Sequence, residues 1–165
     1  MRPGPTDQQW FYGFGGTALN LFESRSRLPG GGPEWSFYVQ DHGSWFGDGV
    51  TYHRYSIRKD GFVSASASTA GGSFTTRPIQ FTGARLDLNY ATSAIGGIRV
   101  EIQGEDGKPL PGFSLEECVE MIGDSSKRPV TWTSGASLGT FAEKPIRLRF
   151  VLKDADLFSL RFGPR

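Results

Sequence analysis

The residues able to do covalent chemistry are few, and their spacing argues against a catalytic centre. Ser137 stands in Gly135-Ala136-Ser137-Leu138-Gly139, a literal match to the G-x-S-x-G elbow that lifts a nucleophile onto a strained strand-to-helix turn. In that setting an acid and a histidine must follow the serine, yet both histidines, His42 and His53, precede it. A glycine-bounded turn is the simpler reading. Two carboxylates facing each other across a cleft would suffice for glycoside hydrolysis. Glu116 and Glu117 are adjacent and point apart on a helical turn, where Glu117 is explained by capping. Asp60, Asp87 and Glu101 alternate with apolar positions, which predicts a solvated or salt-bridged strand face.

Cys118 has no Arg, Lys or His beside it to lower its pKa, so a buried inert thiol is expected. His42 and His53 are too loosely spaced for a zinc site, and further ligands are missing from the pattern. Asp41, Asp48, Asp154 and Asp156 read as oxygen donors in turns that could hold a structural Ca²⁺, without the fixed spacing of a calcium loop. No other cofactor is expected.

Aromatic residues carry the remaining signal. A sugar ring offers a flat CH face edged by hydroxyls, which a Trp or Tyr can stack on while nearby polar side chains bind the edge. Trp45, Phe46 and Tyr52, with Asp41, His42, Asp48 and Arg54 close in sequence, supply both parts of such a site. Trp45 and Phe46 fall in a Gly-rich stretch, Asp41 to Val50, that reads as a surface loop, where large rings need an explanation. Trp35, Phe37 and Trp132 instead fall at core phases, the commoner fate of an aromatic in a β-sandwich.

The totals bound the answer. With 165 residues the chain has the size of one ordinary domain and can bury roughly two-thirds of its unfolded surface. Lys plus Arg number 18 against 17 Asp plus Glu, so there is no basic field to gather phosphate backbones, and nucleic acid is not an expected partner. One cysteine excludes an internal disulfide. The apolar runs are too short for a transmembrane helix, no membrane partner is expected, and MRPGPTDQQW lacks the apolar core of a signal peptide. Residues 1–9 read as a linker from a preceding domain, and 10–165 as a single β-sandwich domain.

The elements that must position these residues are strands. Leu86, Leu88 and Tyr90 alternate with Asp87 and Asn89, then Ile98, Val100 and Ile102 alternate with Arg99, Glu101 and Gln103. This predicts an antiparallel pair about a Gly96-Gly97 turn. Further strands are expected over Thr17–Glu23, Trp35–Gln40, Tyr52–Arg58, Phe62–Ser68, Ser73–Arg77, Val130–Thr133, Ile146–Leu152 and Phe158–Phe162. Asp60-Gly61 is the strongest hairpin signal, and Lys153 to Asp156 reads as another turn. Ser114 to Glu117 has the S-x-x-E form of a capping box, so Leu115 to Ile122 is the one place for a short helix. The pattern predicts an all-β chain: a two-sheet antiparallel sandwich, jelly-roll or concanavalin-like, with at most one short helix.

Four blocks, Arg54 to Ala67, Gly71 to Gly83, Leu86 to Cys118 and Lys144 to Phe162, resemble the C-terminal β-sandwich of bacterial five-bladed-propeller proteins of the glycoside hydrolase type, the invertase/levanase and arabinanase-like groups. Arg2 to Pro5 resembles the stretch leaving the last blade. The resemblance implies an accessory domain without a catalytic residue of its own, beside a catalytic propeller in a longer extracellular or periplasmic protein. The leading expectation is a non-catalytic carbohydrate-binding module for a polysaccharide or oligosaccharide. The alternatives are a bracing domain, whose Trp10 to Phe14 aromatics pack on a neighbouring catalytic domain, and a small stand-alone glycan hydrolase or lyase.

Overall fold

The computed structural model describes residues 20–27, 32–42 and 51–164. Those residues are nearly all β, in two antiparallel sheets, one of them strongly curled. By its contacts the chain divides into two units, Met1–Lys59 and Asp60–Arg165.

The first unit holds a three-stranded sheet in the order β1 (Phe22–Arg25), β2 (Pro33–His42), β3 (Thr51–Arg58). Because strand side chains alternate between faces, the register sorts them in two groups. Trp35, Phe37 and Val39 share one face with Tyr55 and Ile57, as their phase predicts. Here Phe37 stacks on Tyr55 with ring centroids 6.0 Å apart, and Lys59 lies 5.3 Å over the Trp35 ring while pairing with Glu23 at 2.7 Å. Tyr38 and Arg54 lie on the opposite face.

The second unit holds β4 (Ala65–Ala67), β5 (Gly72–Thr75), β6 (Arg85–Gln103), β7 (Asp124–Pro129) and β8 (Arg147–Gly163). The order is β4-β8-β6-β7, with β5 also pairing β8. Two corrections to the sequence reading sit in β6 and β8. The expected Gly96-Gly97 turn and the expected turn at Lys153 to Asp156 are not chain reversals. Each lies inside one long strand, of 19 and 17 residues, and the two strands pair with each other on both sides of it. Thr92 faces Ala155 and Gly97 faces Lys153, so Ser93 to Gly96 bulge out opposite Asp154. A bulge of this kind bends a strand and raises its twist, which lets both halves of β6 turn their apolar sides to one core. Asp154 takes φ +42° at the bend.

That core contains Leu86, Leu88 and Tyr90 from one half of β6, Ile98, Val100 and Ile102 from the other, and Leu148, Phe150 and Leu152 from β8. Connecting segments close it with Phe113, Met121 and Trp132; Phe113 meets Trp132 edge-on at 5.0 Å, and the Trp132 indole donates to the Val100 carbonyl at 3.1 Å. An indole N–H shut away from water needs such a partner.

Three further expectations are corrected. Asp60-Gly61 does not close a hairpin: among the described residues β3 pairs with β2, and residues 65–67, at the end of the expected returning strand, pair with β8. The turn, with Asp60 at φ +57°, instead joins the two units. The strand expected over Val130–Thr133 is reduced to an isolated bridge between Cys118 and Trp132, while the polar Asp124–Pro129 forms β7. Leu115 to Ile122, expected as one short helical turn or two closed by Gly123, keeps a single turn, closed by Cys118 N–H to the Ser114 carbonyl at 3.1 Å, and does not continue to Ile122. The capping box is nevertheless present: Ser114 N–H donates to Glu117 Oε2 at 3.1 Å, and Glu117 N–H to Ser114 Oγ at 3.4 Å.

Asp87 and Glu101 are buried at 3% and 4% exposure, so of the expected solvated or salt-bridged face the exposure is corrected and the salt-bridged alternative holds. Ionised groups so placed cost several kcal/mol unless paired, and both are paired. Arg85 forks onto Asp87 with two contacts of 2.9 Å, and Glu101 accepts from Gln103 Nε2 at 2.7 Å with Arg149 at 3.6 Å.

Candidate functional site

The strongest candidate surface is the face of the three-stranded sheet that carries Tyr38 and Arg54. β2 holds Glu34, Ser36 and Tyr38 on this face, β1 adds Phe22 and Ser24, and β3 adds Tyr52, Arg54, Ser56 and Arg58. Register then fixes a pattern. Phe22 lies opposite Ser36, Tyr38 opposite Arg54, and Tyr52 opposite Gln40, so each ring is one diagonal step further along β2 than the last. Diagonal neighbours on one sheet face stand within reach of aromatic side chains. Phe22 and Tyr38 do meet, stacked at 5.8 Å with planes 24° apart. All three rings remain open to solvent, at 39% for Phe22, 42% for Tyr38 and 55% for Tyr52.

The other half of the face is polar and self-satisfied. Ser24 and Ser36 share a hydrogen bond of 2.7 Å, and Ser36 is fully buried beneath its neighbours. Hydrogen bonds from Ser26 and Ser56, helped by the nearby Arg54 charge, hold the Glu34 carboxyl below the usual carboxylate range. Hydrogen bonding to the charged form is what lowers it. Aromatic platforms on one side and charged or hydroxyl groups on the other give a flat surface able to stack on a ring and bind its edge.

Of the residues singled out from the sequence, Tyr52 and Arg54 come together on this face, two positions apart on β3. Trp45, Phe46 and Asp48 lie outside the described residues, as do the linker residues 1–9 and the Trp10 to Phe14 cluster. Asp41 and His42 end β2 as strand residues and not in the expected loop, the rest of which, residues 43–50, lies outside the described residues, as do the side chains of both. Phe22 and Tyr38 were missed as site residues. The signal was the phase of Tyr38, opposite to Trp35 and Phe37, which places a large ring on the face that carries Arg54.

The other chemical candidates resolve as structure. Ser137 precedes a 3₁₀ turn at Leu138–Phe141, and its carbonyl accepts from Thr140 Oγ1 at 3.0 Å, so no strand-to-helix elbow exists there. Cys118 is buried, its thiol pushed up chiefly by burial, and its sulfur accepts the Val100 N–H at 3.2 Å. Asp154 and Asp156 lie within β8 and not in a turn. Asp156 accepts from Ser64 Oγ at 2.7 Å. Among the described residues no group of three or more His, Cys, Asp or Glu side chains stands close enough to hold a metal ion, and no helix is long and apolar enough to cross a membrane.

Comparison with known proteins gives no match, whether with family models, with curated proteins or with solved structures.

Proposed function

We propose that the chain is a non-catalytic carbohydrate-binding module that takes a polysaccharide or oligosaccharide on the Phe22, Tyr38, Tyr52 face. The observation carrying this reading is the diagonal of exposed rings across all three strands of one sheet, with Arg54 set between Tyr38 and Tyr52. Exposed aromatics of this size seldom cluster on a surface without a partner. A rigid sheet holds them without the entropy cost of ordering a loop on binding.

Four acids of the second unit favour the same conclusion, since they have structural occupations. Asp87 is engaged with Arg85, Glu101 with Gln103 and Arg149, Glu117 with the capping turn, and Glu120 with Arg99 at 3.6 Å. A glycosidase would instead hold two carboxyls apart across a cleft. The propeller-associated setting, with a catalytic domain elsewhere in a longer exported protein, belongs to this proposal.

Affinity electrophoresis through gels containing a panel of polysaccharides tests it. Retardation on at least one glycan, lost in Tyr38→Ala and Tyr52→Ala variants that keep the native circular dichroism spectrum, is the expected result. Unretarded migration of the folded protein on every glycan would reject the module and leave the bracing role.

A further inference from the structure

We infer that the glycan recognised by this face is acidic, a polymer bearing uronate carboxylates, and that Arg54 is the residue that selects it. The inference rests on the carbohydrate-binding reading above and names the ligand class within it.

The charged groups described on the face differ in what already holds them. Glu34 is engaged by Ser26 and Ser56. Arg58, directly opposite Glu34 in the register, is likewise engaged. Arg54 differs: among the described residues no hydrogen bond or ion pair holds its guanidinium, and its charge is felt only as a lowering of the Glu34 pKa. It stands directly across from Tyr38 and two residues from Tyr52, so an uncommitted cation lies between two open aromatic platforms. A guanidinium presents a planar fork matched to a carboxylate and forms paired, charge-assisted hydrogen bonds with it. Uronates join the two features this surface offers to bind, an apolar ring face for Tyr38 or Tyr52 and a carboxylate at the ring edge for Arg54.

Charge decides against the other polyanion that stacks on aromatic residues. Single-stranded nucleic acid is held by a basic track following several phosphates. Among the described residues this face carries two arginines against one glutamate, and the whole chain has a net charge of +1. The Arg54 guanidinium beside stacking rings suits an isolated carboxylate better than a phosphate backbone.

The test uses the full chain against immobilised polygalacturonate and alginate, the same polymers after methyl esterification, a neutral glucan, and single-stranded oligothymidylate. Binding to a polyuronate, loss of it on esterification, weakening with added salt, and a tenfold or greater loss in Arg54→Ala with partial recovery in Arg54→Lys are expected, with thermal midpoints confirming that both variants fold. Equal binding to the esterified or neutral polymers, or an unaffected Arg54→Ala, would overturn the acidic assignment while sparing the module reading. Tighter binding to oligothymidylate than to any polyuronate would overturn it in favour of nucleic acid. Binding to no glycan at all would reject the module reading itself, and this inference with it.

Discussion

Gly96 lies directly against the backbone of Asp154. A Cβ built on Gly96 would overlap the Asp154 carbonyl oxygen and stand 2.6 Å from that of Lys153. The bend of β6 over β8 is thus possible because position 96 has no side chain, and the neighbours are main-chain atoms that cannot rotate away. Gly96→Ala is expected to lose about 1–3 kcal/mol of stability, the usual cost of forcing extra volume into a closed site. Gly72→Ala is the control, because its Cβ would meet Ala67 at an ordinary 3.6 Å; a change within about 0.5 kcal/mol is expected there. Urea denaturation measures both, and equal costs would show that the contact at 96 is not the constraint.

The Arg85–Asp87 pair makes an asymmetric prediction. Arg85→Met leaves a buried carboxylate without its cation and should cost on the order of 2–3 kcal/mol. Arg85→Met with Asp87→Leu removes both charges and should recover more than half of that loss. A double variant no more stable than the single one would mean that Asp87 has other support.

Cys118 should resist modification until the protein unfolds. Burial both shields the sulfur and raises its pKa, so little thiolate is present at neutral pH. A thiol reagent should label native protein at the slow rate of unfolding and denatured protein at once; rapid labelling of the native state would contradict the buried placement.

Glu34 sets a pH dependence in the first unit. Its folded pKa lies below the unfolded value of about 4.3. The fold therefore favours the ionised form, and the resulting stabilisation is complete above that unfolded value and lost as pH falls through the lowered folded one. Thermal midpoints followed from about pH 6 to about pH 3 should drop less steeply in Glu34→Gln than in the parent. Parallel curves would show that Glu34 is not a contributor.

Much of this fold was legible because strand periodicity is a local signal. The inward phases of Leu86, Leu88, Tyr90, Ile98, Val100, Ile102, Leu148 and Phe150 all hold, and so does the reciprocal bonding of Ser114 and Glu117. What misled was punctuation: a bulge at Ser93 to Gly96 interrupts alternation as a reversal would, and only the pairing partner distinguishes them. Asp87 and Glu101 misled for a different reason. Alternation marks them as polar, but whether a polar face is wet depends on what covers it; the clue available was a partner two residues away, Arg85 for one and Gln103 for the other. The ligand-facing surface was half legible. Tyr52 and Arg54 share a strand, whereas their junction with Tyr38 and Phe22 depends on register across β1, β2 and β3, which sequence alone does not supply.

The pairing of β6 with β8 on both sides of the Ser93 to Gly96 bulge governs how the second unit comes apart. Since the same two strands line one interior before and after that interruption, loosening one half uncovers the other. Amide protons at the paired positions, Leu86 to Tyr90 and Ile98 to Ile102 with Leu148 to Leu152 and Leu157 to Phe162, should consequently exchange with solvent last and in concert, as one cooperative block.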